Sequence, residues 1–281
     1  MLFSTIRDRL TRGRPPVIPV LRLSGAIGAL PGRRGGLSMA ALAGPIEAAF
    51  SMKRARAVAL AINSPGGSPV QSSLIAGRIR AMAQEKNLPV IAFVEDVAAS
   101  GGYWLALAAD EIFVDPSSIV GSIGVISAGF GFTGAIEKLG IERRSHTTGP
   151  DKGMLDPFRP EREEDRVILK EVQADIFEAF KAHVRERRSG KLAIDENELF
   201  SGRVWTGTRA VGHGLVDAIG DLRSIMRDRH GDRVRLVNVN PTRSWLQRKL
   251  GLQQAMSPDL IARSLIGTIE ERMLYNRYGL R

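Results

Sequence analysis

Val97-Ala98-Ala99-Ser100-Gly101-Gly102-Tyr103-Trp104 is where an apolar run gives way to a helical pattern. The residues before it, Pro89 to Glu95, read as a buried strand, and Gly101 to Ala109 reads as a helix. A serine at such a junction holds its hydroxyl beside the free amides of a helix N-terminus. Those amides and the helix dipole favour developing negative charge. The glycines let a substrate backbone come close. A nucleophile suits this position, but so does a simple N-cap, and the stretch alone leaves both open.

A second stretch repeats the arrangement. Ala57-Val58-Ala59-Leu60-Ala61-Ile62 reads as a buried strand, followed by Asn63-Ser64-Pro65-Gly66-Gly67 and a helical pattern from Pro69 to Gln84. Strand, glycine turn and helix therefore occur twice. An acyl-transfer site needs an attacking hydroxyl and amides for the oxyanion close together. Two glycine-marked strand ends in one parallel sheet supply both.

Further along, strands are expected at Val17 to Leu23, Glu111 to Val114 and Glu142 to Ser145, with an exit strand at Leu215-Val216-Asp217. Gly121 to Ile126 mixes strand residues with glycines. Helices are expected at Leu42 to Phe50, Thr133 to Leu139, Glu161 to Arg188 and Thr206 to His213. An amphipathic helix over 257–275 follows from Leu260, Ile261, Leu265, Ile266, Ile269 and Met273. This alternation argues for an α/β fold with mainly parallel pairing. Composition divides the chain into a basic arm (1–16), a main domain (17–234) and a C-terminal extension (235–281).

The chain has 281 residues, 43% hydrophobic and 25% charged, which is a globular composition. It has no cysteine, which excludes disulfides, thiolate catalysis and zinc–cysteine sites. The net charge of +10 comes mostly from scattered arginines, without the aromatic or zinc-finger signatures of nucleic-acid binding. No nucleic-acid partner is expected. No stretch reads as a transmembrane span, and residues 116–136 are uncharged but rich in glycine and serine. Leu2, Phe3, Ile6 and Leu10 share one helical face in the basic arm, so peripheral contact with an anionic membrane is one reading and a solvated arm the other. No acidic or histidine cluster has metal-ligand spacing, and no metal or organic cofactor is suggested.

A nucleophilic serine needs a base. His146, His183, His213 and His230 are the only histidines. His183 reads as exposed on the long helix, His213 as a helix C-terminus, and nothing around His146 supports a catalytic role. A lysine acts as a base only when neutral, with its pKa pulled well below the usual value of about 10.4. Lys152 lies in a Gly- and Pro-rich loop, Thr148 to Phe158, and both a base and a surface lysine fit it there.

Residues from about Val17 to Leu222 resemble the signal peptide peptidase A family, serine peptidases of the Clp-protease/crotonase-like fold. Five segments in matching order carry the resemblance: Asn63 to Gly67, Ala99 to Tyr103, Gly121 to Val125, the Lys152 loop with Pro157-Phe158, and Val204 to Asp217. The resemblance implies a mostly parallel sheet flanked by helices, here with a C-terminal helical extension. It implies Ser100 as nucleophile, Lys152 as base, Ser122 orienting the lysine, and an oxyanion hole at the amides of Gly66 and Gly101. Clp proteases place their histidine where this chain has Val125, so the histidine version is disfavoured.

The resemblance also implies a homo-oligomer, since related enzymes form dome-shaped rings. Many members carry a membrane anchor, and no stretch here reads as one. The expectation is therefore a cytoplasmic Ser/Lys endopeptidase for apolar peptides, signal-peptide remnants or unfolded segments, with any membrane contact peripheral at the inner face. The rivals are a crotonase-like acyl-CoA enzyme, which typically places glutamates at its acyl site, and an inactive peptidase-like membrane scaffold.

Overall fold

The computed structural model describes residues 15–28, 36–240, 273 and 275–279. The expected basic arm and the helix over 257–275 lie almost wholly outside these residues. The chain divides into two compact units: residues 1–123 with 183–281, and the inserted residues 124–182.

In chain order the first unit begins with β1 Val17–Ser24, α1 Met39–Phe50, β2 Val58–Ser64, α2 Pro69–Lys86, β3 Val90–Ala99, α3 Gly101–Ala106, β4 Glu111–Val114 and β5 Ile119–Gly121. The second unit holds α4 Thr133–Lys138 and most of α5 Glu163–Arg187. The first resumes with α6 Glu196–Leu199, β6 Val204–Thr206, α7 Gly207–Gly212, β7 Ala218–Ile219, α8 Leu222–His230 and β8 Arg235–Asn238.

The sheet runs β6-β5-β3-β2-β1-β8, with β4 pairing β3 and β7. Every pairing is parallel except β5 with β6. The fold is thus α/β with a mostly parallel sheet flanked by helices. β1 to β3 read as near-continuous apolar runs because helices cover both faces of such a sheet. One face carries Ile18, Val20, Ala59, Ala61, Ile91 and Phe93 against Phe113 and Met226 of α8. The alternate residues Leu21, Leu60 and Ile62 are also fully buried.

β3 changes partners along its length. Ile91 to Val94 pair with β4, and Val97 to Ala99 pair with β5. The register against β2 shifts in between. Ser118 Oγ donates to the carbonyls of Val94, at 3.2 Å, and Glu95, at 2.6 Å, and Asn63 Nδ2 donates to Asp96 Oδ2 at 2.6 Å. Ser118 thereby satisfies backbone carbonyls that the interrupted ladder leaves over, while Asn63 and Asp96 pair with each other beside it.

Some expectations shift. Glu142 to Ser145 forms no strand: Arg143 and Arg144 instead pair with Asp156 and Glu142 at the surface. The exit strand lies at Ala218–Ile219 rather than Leu215–Asp217. There the Asp217 carboxylate accepts from the Ile112 amide, the buried Arg188 and Lys191, at 2.8, 2.9 and 2.7 Å. Burial pushes the Asp217 pKa up, but the hydrogen bonds from Lys191 and Arg188 outweigh it and hold the group below the usual range. Pairing of β8 with β1 carries the sheet past residue 234, the boundary that composition suggested.

Candidate active site

Ser100 ends β3 and opens α3 with φ 52° and ψ −122°, a region side-chain-bearing residues rarely adopt. Ser100 is the N-cap residue of α3, but its hydroxyl caps no amide of that helix. Its amide donates to Gly121 O at 2.8 Å, and its carbonyl accepts the first helical bond from Trp104 at 3.0 Å. The half-buried side chain is thereby held at a sharp strand-to-helix turn, the posture of a presented nucleophile.

α3 anchors this turn by burying all of its residues. Tyr103 donates its hydroxyl to Leu215 O at 2.7 Å, and burial pushes its pKa up. Trp104 stacks on His183 at 5.4 Å. His183 is therefore not the exposed helix residue expected: burial lowers its pKa, and among the described residues its buried Nε2 has no hydrogen-bond partner. His213 is the C-cap of α7, edge-on to Trp205, and His146 is exposed in the second unit.

The two glycine turns meet. A β-carbon on Gly66 would stand 2.8 Å from Ala99 O, 2.9 Å from Gly101 N and 2.9 Å from Ser100 Cβ, and Gly66 has φ +101°. A β-carbon on Gly102 would stand 2.3 Å from Ser64 O. The sequence can pack these turns this tightly only with glycine.

Gly66 O accepts from Ile27 N at 2.8 Å, and Ser68 N donates to Ile27 O at 2.9 Å. In a trans peptide the N–H points opposite the carbonyl, so the Gly67 amide faces away from Ile27. Gly67 N lies 3.4 Å from where a β-carbon on Gly101 would stand. The Gly66 amide, by contrast, donates to Ser64 Oγ at 3.3 Å. Among the described residues the amides of Gly67 and Gly101 find no protein acceptor. The free Gly67 amide is a feature that sequence reasoning did not single out; the second glycine of Asn63 to Gly67 was its only signal.

Ser122 also has a positive φ, of 52°, and its amide donates to Arg203 O at 2.8 Å. Its Oγ accepts from Tyr278 at 3.4 Å, while Tyr275 donates to Asn63 O at 2.9 Å. Ser100, Gly66, Gly101 and Ser122 thus belong to one unit. Lys152 belongs to the other, exposed in a turn of residues 149–155.

Residues 82–232 match the family described as Peptidase family S49. The chain belongs to this family. A Brucella abortus (strain 2308) protein called Na(+)/H(+) antiporter NhaA is 52% identical to the S49 chain over 293 residues, covering 99% of the chain and 39% of that protein. The putative signal peptide peptidase SppA of Enterococcus faecium is 34% identical over 60% of the chain and 48% of its own length. The chain thus spans less than half of either relative. A solved variant of the membrane-bound stomatin-specific protease 1510-N matches 81% of the chain and 99% of its own, with a TM-score of 0.51 and 17% identity, a likeness of fold. Among the described residues of this family member, no helix is long and apolar enough to cross a membrane.

Proposed function

We propose that the chain is a serine endopeptidase that cleaves apolar peptides or unfolded segments through an acyl-enzyme. The observation that carries this reading is Ser100: a strained turn residue whose hydroxyl caps nothing, beside free amides, in a peptidase-family chain. Ser100 is the nucleophile and Lys152 the base. Neutral Lys152 takes the Ser100 proton as Oγ attacks the peptide carbonyl. The oxyanion is held at Gly101 and at the Gly66–Gly67 turn, where the Gly67 amide is the freer donor. Each such donor contributes roughly 3 kcal/mol. Protonated Lys152 then gives its proton to the leaving amine, and water cleaves the acyl-enzyme by the reverse route. Ser122 orients the lysine.

The working form is a homo-oligomer. Support comes from residues 124–182, where the large apolar side chains Phe130 (77%), Leu139 (72%) and Ile126 (65%) stand exposed. The setting is cytoplasmic, with peripheral contact at the inner face of the membrane; the net charge of +10 favours an anionic surface.

The test is cleavage of an unfolded apolar polypeptide by the wild-type protein, Ser100→Ala and Lys152→Ala. Loss of cleavage in both folded variants is expected. Full activity in a folded Lys152→Ala protein would remove the dyad, and no cleavage by any wild-type oligomer at alkaline pH would remove the peptidase.

A further inference from the structure

Residues 124–182 bury only two side chains, Phe180 and Asp165. A buried carboxylate is unusual and costly unless its oxygens are matched by donors. Both oxygens of Asp165 are matched. Oδ2 accepts the Leu155 amide at 3.0 Å, and Oδ1 pairs with Arg162 Nη2. Arg162 and the Leu155 amide hold the Asp165 carboxyl below the usual range. Leu155 has φ +56°, a conformation that costs a leucine and needs an external hold.

The same arginine reaches the other side of the turn. Arg162 Nη2 lies 3.5 Å from Pro150 O and 3.8 Å from an oxygen of Asp151. Lys152 therefore sits between two tethered points, Pro150-Asp151 and Leu155, both fastened to one ion pair at the start of α5. Another carboxylate of this loop, Asp156, is engaged by Arg143 and Arg159 at 3.3 and 3.8 Å. It does not compete for Arg162.

We propose that Asp165 and Arg162 are positioning residues for Lys152, clamping its turn from both sides so that the amine is presented in one orientation. This rests on Lys152 being the base. A planar guanidinium suits the task because one fork can serve a carboxylate and a carbonyl together, which a lysine ammonium does less well.

The experiment is steady-state cleavage of an unfolded apolar polypeptide, with pH profiles, by folded wild type, Lys152→Ala, Asp165→Ala, Asp165→Asn, Arg162→Ala, Arg162→Lys and Asp165→Ala/Lys152→Ala. Misplacement of a catalytic group by about 1 Å costs up to about 100-fold. Asp165→Ala and Arg162→Ala should therefore lower kcat by about 10- to 100-fold, with KM within about twofold. Asp165→Asn, which can still accept the Leu155 amide, should lose less, and Arg162→Lys should recover only part. In the Lys152→Ala background, Asp165→Ala should cost nothing further.

Wild-type kcat and pH profile in Asp165→Ala and Arg162→Ala, beside an inactive Lys152→Ala, would overturn the clamp and leave the dyad standing. An equal loss from Asp165→Ala with and without Lys152 would also overturn it. Full activity in Lys152→Ala would remove the dyad and the clamp with it. Should Asp165→Ala fail to fold, Asp165→Asn and Arg162→Ala decide the question.

Discussion

Residues 57–62 and 90–94 of the first unit are buried without a break, whereas residues 124–182 bury only Asp165 and Phe180. The first unit holds its functional turn by packing: Gly66, Gly101 and Gly102 fit where no other residue would, and α3 is buried throughout. The second holds the Lys152 turn by a few polar ties and leaves all its apolar side chains but Phe180 at least partly exposed. Packing fixes geometry through many small contacts, while polar ties concentrate it in a few residues. The serine turn should thus be sensitive to added volume, and the lysine turn to lost charge.

The largest effect that sharpens this contrast is at Ser100. Ser100→Ala should lower turnover by at least about 10⁴-fold, read by polypeptide cleavage, with the melting temperature kept. Ser100→Gly should be equally inactive and more stable by about 1 kcal/mol in denaturant titration, because glycine accepts the positive φ. Gly66→Ala comes next. Its β-carbon would push against Ala99 O and Ser100 Cβ, and activity should fall about 100-fold with a lower melting temperature. Wild-type activity there would show that the first unit is not held by close packing.

Asp217→Ala leaves Arg188 buried without its carboxylate and should cost about 3 kcal/mol in urea unfolding. The folded-state pKa of Asp217 is depressed. Its stabilisation is therefore fully present above the unfolded value of about 3.9 and is lost as pH falls from there through the folded value. Acid titration of the wild type should show this loss, and Asp217→Ala should not.

The smallest effect on stability is at Phe130. It is 77% exposed, so Phe130→Ser should change unfolding free energy by less than about 0.5 kcal/mol. The same change should lower the oligomer fraction in sedimentation. A large loss of stability instead would mean that the second unit has a core after all.

Both glycine turns, their helices and the parallel pairing between them were legible, because long apolar runs and Gly-Gly pairs are strong local signals. β6, at Val204–Thr206, was not: three residues carry no period, and an antiparallel edge partner cannot be read locally. α8 was passed over although Asp221 caps it through the amides of Arg223 and Ser224, since among its residues only Met226 is buried. Glu142 to Ser145 looked like a strand, but a strand is made by its neighbour. At the site, Ser100 and the glycines were legible as a pattern. The backbone strain at Ser100 and the freedom of the Gly67 amide were not, because both depend on where Ile27 and Gly121 come to lie. The Asp165–Arg162 tie was not legible, because nothing local shows that the Leu155 amide and Pro150 carbonyl come to lie beside it.

The insertion of residues 124–182 has a consequence for synthesis. β1 leaves the ribosome more than two hundred residues ahead of its partner β8, and β6 and β7 also follow the insertion. Pairings between such distant segments form slowly, because a long loop must close before any contact rewards it. The Ser122 amide finds Arg203 O only across that same insertion. The nascent chain thus carries its serine turn without the outer strands that complete the sheet around it until residues 204–238 have been made. Slow codons or truncations after residue 182 should therefore trap a half-sheet with open edges.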